Sequence, residues 1–111
     1  MIAEAKFDVA AMRQAAGHAG ALLKALSNTD RLLLLCQLTE GERCVSDLEE
    51  ALGIVQPTLS QQLGVLREER LVATRRDGKR IFYRIASDEA LAVMRVLHEQ
   101  FCSPHQGDIN D

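Results

Sequence analysis

Cys44-Val45-Ser46-Asp47-Leu48-Glu49-Glu50-Ala51-Leu52-Gly53, continued from Gln56 by Gln56-Pro57-Thr58-Leu59-Ser60-Gln61-Gln62-Leu63-Gly64-Val65-Leu66-Arg67, decides how this 111-residue chain folds. Val45 to Leu52 reads as a short amphipathic helix stopped by Gly53. A second helix opens three residues later, with Pro57 at its first position, where a missing N–H costs nothing. Leu59, Leu63 and Leu66 recur at i, i+4, i+7 and turn inward. The segment after it alternates as strands do: Val72-Ala73-Thr74-Arg75-Arg76, a turn at Asp77-Gly78, then Lys79-Arg80-Ile81-Phe82-Tyr83-Arg84. Asp-Gly is a strong hairpin signal when both central residues must accept positive φ. Helix, turn, helix and basic hairpin spell a winged helix-turn-helix, whose chemistry suits duplex DNA.

Outward from that centre, the chain reads as mainly α with a small β-hairpin: five helices and a two-stranded wing. Apolar residues recur at helical spacing from Phe7 to Leu26, through Met12, Ala15, Ala16, Ala19, Leu22 and Leu23. Asn28 can cap a second helix over about Thr29 to Leu38 with Asp30 in its first turn. That helix is expected to bury Leu32, Leu33, Leu35 and Cys36 and to end at Gly41. The last helix takes Ser87 as its cap, followed by Asp88 and Glu89. Its residues Leu91, Val93, Met94, Leu97 and Phe101 offer more apolar surface than one small core needs. Ser103-Pro104 stops it. One domain over 1–105 and a tail over 106–111 account for the length. No apolar run approaches bilayer-spanning length, and the N-terminus lacks an apolar secretory core, so no membrane partner and a cytoplasmic location are expected.

Charge is unevenly spread. The formal net charge is −3, yet Arg67 to Arg84 carries seven basic and three acidic residues, a local +4 against −7 elsewhere. An acidic body with one basic surface holds phosphates on that surface and repels DNA from the others. Gln56, Thr58, Ser60 and Gln61 occupy the outer face and N-terminal end of the second motif helix. They are short, uncharged and able both to donate and to accept, which suits base edges in a major groove. Arg75, Arg76, Lys79 and Arg80 form the hairpin's basic tip, suited to phosphates or the minor groove.

Gln56 to Arg67, together with Gly78-Lys79-Arg80-Ile81-Phe82-Tyr83-Arg84-Ile85 and Leu26-Ser27-Asn28-Thr29-Asp30-Arg31-Leu32, resembles the ArsR-type winged-helix transcriptional repressors over about Leu22 to Cys102. The resemblance implies a homodimer through the first and last helices, an inverted-repeat operator in double-stranded DNA, and release by a chemical signal. The metal boxes of that family are incomplete here. Cys44-Val45-Ser46-Asp47-Leu48 has a hydroxyl where a second thiolate would stand, and Ala90 replaces the histidine that would pair with Asp88. No metal site and no cofactor are expected.

Cys36 and Cys102 instead resemble the thiol pair of the reactive-sulfur-sensing subgroup, the BigR, SqrR and HlyU-like repressors. That likeness implies redox sensing: small sulfur donors such as persulfides bridge the two thiols, and operator affinity falls. Read without the resemblance, Cys36 in its apolar run and Cys102 at a helix end are packing residues. A metal- or metalloid-responsive repressor with an unconventional thiolate site using Cys44 is the alternative. A thiol enzyme is disfavoured, because no activating Arg or Thr accompanies a cysteine at a loop-to-helix start. A pure dimerisation module would leave the basic hairpin without a purpose.

Overall fold

The computed structural model describes residues 8–102. The expectations for the N-terminal residues through Phe7, for the stop at Ser103-Pro104 and for the tail lie outside that range. The elements run α1 (Val9–Leu26), α2 (Thr29–Leu38), β1 (Arg43–Cys44), α3 (Val45–Leu52), α4 (Thr58–Glu68), β2 (Val72–Asp77), β3 (Arg80–Ile85) and α5 (Asp88–Phe101). Five helices and a winged hairpin therefore stand as expected among the described residues.

Helix starts follow local chemistry. Asp8 Oδ1 accepts from the Ala11 N–H at 2.7 Å, Asn28 Oδ1 from the Arg31 N–H at 3.0 Å, and Ser87 Oγ from the Ala90 N–H at 3.0 Å. Each bond satisfies a first-turn N–H that the helix itself leaves unpaired. Asn28→Ala is expected to cost about 1 kcal/mol, read as a drop in Tm of about 4–8 °C. Helix ends are equally local. Gly53 closes α3 at φ 70°, with its N–H on the Glu49 carbonyl at 2.9 Å. Arg70 plays that part after α4 at φ 62°, and the next N–H, of Leu71, reaches back to the Leu66 carbonyl at 2.9 Å.

One core holds the elements together. Leu59, Leu63 and Leu66 of α4 are at most 2% exposed and pack with Leu34, Leu35 and Leu38 of α2, Leu48 of α3 and Met94 of α5. Burial of α2 differs from expectation. Leu34 and Leu35 are fully buried, whereas Leu33 is 40% exposed and Leu32 and Cys36 are half-buried. Four successive leucines carry no polar residue to fix the helix's rotation, so packing against α4 and α5 sets it. α2 runs from Thr29 to Leu38 as expected, with Thr39 as its C-cap just before Gly41.

The sheet gains a strand. β1 pairs antiparallel with β3 (Arg43 opposite Tyr83, Cys44 opposite Phe82), giving the order β1-β3-β2 rather than a two-stranded wing. In the hairpin, Asp77 pairs with Arg80, so the loop is Gly78-Lys79 rather than Asp77-Gly78. Gly78 alone of that pair has positive φ, at 66°, which is the glycine-first pattern of a II′ hairpin. Tyr83 and Ile85 reach the core from β3, but Ile81, near the loop, is 37% exposed. No helix among the described residues is long and apolar enough to cross a membrane.

Candidate nucleic-acid interface and thiol groove

α3, the turn from Gly53 to Pro57 and α4 make the helix-turn-helix. Ile54 is 8% exposed and pins the turn to the core, so α4 is held on its leucine face and presents the opposite one. Pro57 is the N-cap and Thr58 the first helical residue, one position later than expected. The capping is done by the Gln56 side chain, whose Oε1 accepts from the Ser60 N–H at 3.1 Å and from Ser60 Oγ at 2.7 Å. Its Nε2 donates to Glu49 at 3.3 Å. Gln56 and Ser60 are thus tied to each other at the helix start, with Ser60 and Gln61 exposed and Thr58 half-buried. Gly64 adds no bulk to this face, and a Cβ built there meets nothing within 4 Å.

The hairpin cations divide into two groups. Arg76, Lys79 and Arg80 are exposed around the loop. Arg75 is exposed but occupied: Nε and one terminal nitrogen donate to the two Glu42 carboxylate oxygens at 2.8 and 2.9 Å, and its guanidinium lies 4.6 Å from the centre of the Phe82 ring. The Arg75 hydrogen bond holds the Glu42 carboxyl below the usual carboxylate range. This forked pair ties the wing to the loop residue just before β1. Its partners lie 33 residues apart, so nothing local in the sequence announces Glu42.

Arg31 is the other residue that sequence reading passed over. Its Nε donates to the Ala25 carbonyl at 2.6 Å, one terminal nitrogen to the Lys24 carbonyl at 3.3 Å, and the other to Gln62 Oε1 at 2.8 Å. One guanidinium therefore closes the last turn of α1, where carbonyls lack helical partners, and holds the inner face of α4 beside Gln61.

The thiols are all unbridged. Cys36 of α2 and Cys102, the C-cap of α5, line one groove of about 320 Å³. Leu32, Leu33, Met94, Leu97 and Phe101 supply its apolar wall, and Thr29 and His98 also border it. Cys102 is exposed; Cys36 is half-buried, and burial first, then the charges of Cys102 and Glu40, push its thiol up. Cys44 sits elsewhere, at the N-cap of α3, 2% exposed and with Sγ 3.3 Å from Ser46 Oγ.

α1 is exposed along most of its length, with Val9 64%, Met12 53% and Leu23 59% exposed, and Val96 on α5 is 56% exposed. Only Ala25 and Leu26 of α1 are buried.

Comparison with known proteins decides the lineage. Residues 28–74 match the bacterial regulatory protein, arsR family description. The biofilm growth-associated repressor of Agrobacterium fabrum is 50% identical over 96 residues, 86% of this chain and 82% of that protein. The chain belongs to the ArsR family of bacterial regulatory proteins. It is a DNA-binding transcriptional repressor of the kind related to that protein and to HlyU. The structure of reduced HlyU from Vibrio cholerae superposes with a TM-score of 0.80 at 38% identity, covering 82% of this chain and 96% of that one. A homodimeric winged helix-turn-helix DNA-binding domain, Mb0332 from Mycobacterium bovis, has a TM-score of 0.70 at 32% identity, covering 89% and 93%.

Within this ArsR-family fold, double replacement of Arg76 and Lys79 by alanine is expected to weaken binding to all DNA sequences. The slope of log affinity against log salt should shrink by about 0.9 for each phosphate that is no longer neutralised, measured by fluorescence anisotropy. Gln61→Ala should leave that slope unchanged and narrow the preference for operator over random DNA by about 1–3 kcal/mol.

Proposed function

We propose that this ArsR-family repressor is a cytoplasmic, dithiol-responsive homodimer that holds an inverted-repeat operator while reduced and lets go when sulfur bridges Cys36 and Cys102. The observation that carries the reading is the shared groove: one thiol from α2 and one from the end of α5 face the same apolar space.

Two protomers would join through α1 and α5, whose exposed apolar residues a single copy leaves uncovered; the similar Mb0332 domain is homodimeric. Each copy then offers one α4 to a major groove, with Gln56, Thr58, Ser60 and Gln61 toward the bases. Arg76, Lys79 and Arg80 reach the flanking backbone. Arg75 serves the same surface from its pair with Glu42, by holding the wing.

The thiols differ in accessibility, and that orders their chemistry. Cys102, exposed, attacks the terminal sulfur of a persulfide R–S–S–H; a Cys102–S–SH bond forms and RS⁻ leaves. Cys36, protected and raised, then attacks Cys102 Sγ as its thiolate, forming the disulfide and expelling HS⁻. Two electrons from the dithiol end on the donor, which departs as a thiol and hydrogen sulfide. A longer sulfur bridge arises if the chain is extended before the second attack. The bridge ties α2 to α5, and α2 carries Arg31, the residue that grips α4, so joining the thiols shifts the reading helices relative to each other. A thiolate metal site using Cys44 would need that residue to leave its buried position beside Ser46.

Intact-mass and peptide mapping after glutathione persulfide treatment test the reading. The expected product loses two hydrogens, with or without added sulfur, across Cys36 and Cys102 of one chain. Modification confined to Cys44, or none, would contradict it.

A further inference from the structure

We propose that the groove between α2 and α5 is a binding site for uncharged, apolar sulfane-sulfur donors, dialkyl polysulfanes in class, and that it disfavours anionic persulfides. The inference rests on the dithiol reading above and deepens it by naming what the thiols meet first.

The chemistry of the wall supports this. The groove's volume, about 320 Å³, falls within the range of small-molecule pockets. Apart from the two thiols, only Thr29 and His98 bring polar side chains to it, and no Lys, Arg, Asp or Glu lines it among the described residues. Leu33 of α2 borders it while 40% exposed, so a large apolar side chain stands in water beside the reacting sulfurs. An apolar donor covering it removes that surface from water, which favours binding. A donor carrying carboxylates must shed hydration without meeting a Lys or Arg in return. The negative charge of Glu40, felt at Cys36, acts in the same direction.

The reaction balances without any further oxidant. The Cys102 thiolate attacks a dialkyl trisulfane R–S–S–S–R at an outer sulfur, forming Cys102–S–S–R and expelling RSS⁻. The Cys36 thiolate attacks Cys102 Sγ, forming the disulfide and expelling RS⁻. The trisulfane takes two electrons and the dithiol gives two.

The test compares diallyl trisulfide with glutathione persulfide on the full chain. Each rate of bridging is divided by the rate at which the same donor oxidises N-acetylcysteine, so intrinsic donor reactivity cancels. The expected result is a normalised preference for the trisulfide of tenfold or more, reversed or abolished by Leu33→Lys, which sets a cation at the mouth. Thr29→Lys, at the exposed start of α2 and lining the same groove, makes the same comparison if Leu33→Lys does not fold. Equal normalised rates, or a preference for the glutathione donor in the unsubstituted protein, overturn the proposed selectivity and leave the dithiol switch standing. If neither donor joins Cys36 to Cys102, the dithiol reading fails and this inference with it.

Discussion

Arg31→Ala is expected to lower stability by about 3 kcal/mol, with a Tm drop of roughly 10–20 °C, and to weaken operator binding as well. The guanidinium makes three hydrogen bonds, to the Ala25 and Lys24 carbonyls and to Gln62 Oε1, from a half-buried position. Hydrogen bonds to a charged group contribute about 1.5–3 kcal/mol each, and losing one partner strands the other. Removing Arg31 strands the Ala25 carbonyl at the end of α1 and the Gln62 amide of α4, whereas the Lys24 carbonyl keeps the Ser27 N–H and hydroxyl. Lysine keeps the positive charge near the α1 carbonyls but cannot reach all three acceptors with a planar fork. Arg31→Lys should therefore fall between alanine and the unsubstituted protein in Tm, while losing operator affinity nearly as fully as alanine does. Thermal melting and operator titration of both variants check this. An alanine variant that melts at the unsubstituted temperature would show that the clamp contributes nothing.

The second large effect concerns release. Cys36→Ser and Cys102→Ser should each bind operator as the reduced protein does, yet neither should let go when sulfur donors are added. Serine is close to cysteine in size but cannot form a sulfur bridge, so the substitution removes the chemistry and spares most of the packing. Coupling free energies between distant sites commonly amount to about 1–3 kcal/mol, a change of about 5–150-fold in affinity. The unsubstituted protein is expected to show a donor-dependent loss in that range, and both variants none, by anisotropy on an operator fragment with and without donor. A single-cysteine variant that still dissociates on treatment would show that one thiol suffices and that the bridge is not the switch.

What the sequence made legible was local. The i, i+4, i+7 spacing of Leu59, Leu63 and Leu66 placed α4 and its inner face because helical periodicity needs no knowledge of the partner surface. Asn28, Ser87 and Gly53 marked helix ends for the same reason: each acts on backbone groups within four residues. Where the pattern was degenerate, reading failed. Leu32 to Leu35 could face inward by any of several rotations, and packing against α4 and α5 chose Leu34 and Leu35 over Leu33. The two-residue strand β1 carries too little pattern to be seen before β3 is there to pair with it.

The candidate site divides along the same line. The exposed residues of α4 and the basic loop of the wing follow from local pattern, but the ties that position them do not. Arg31 and Gln62 are 31 residues apart, and Glu42 and Arg75 are 33 apart. Arg75 shows the consequence: by charge it reads as one more phosphate contact, and by geometry it belongs to a forked pair that fixes the wing. Cys36 and Cys102 were suggested as partners only by family resemblance, since composition and spacing left packing open. The fold brings them to one groove through the contact of α2 with α5.

The central claim is that the redox state of two thiols sets the grip on DNA. Operator affinity of the reduced protein should be compared with that of the protein carrying a mapped Cys36–Cys102 bridge, on one inverted-repeat fragment at one salt concentration. The bridged form is expected to bind about 5–150-fold more weakly. Equal affinities for the two forms would contradict it.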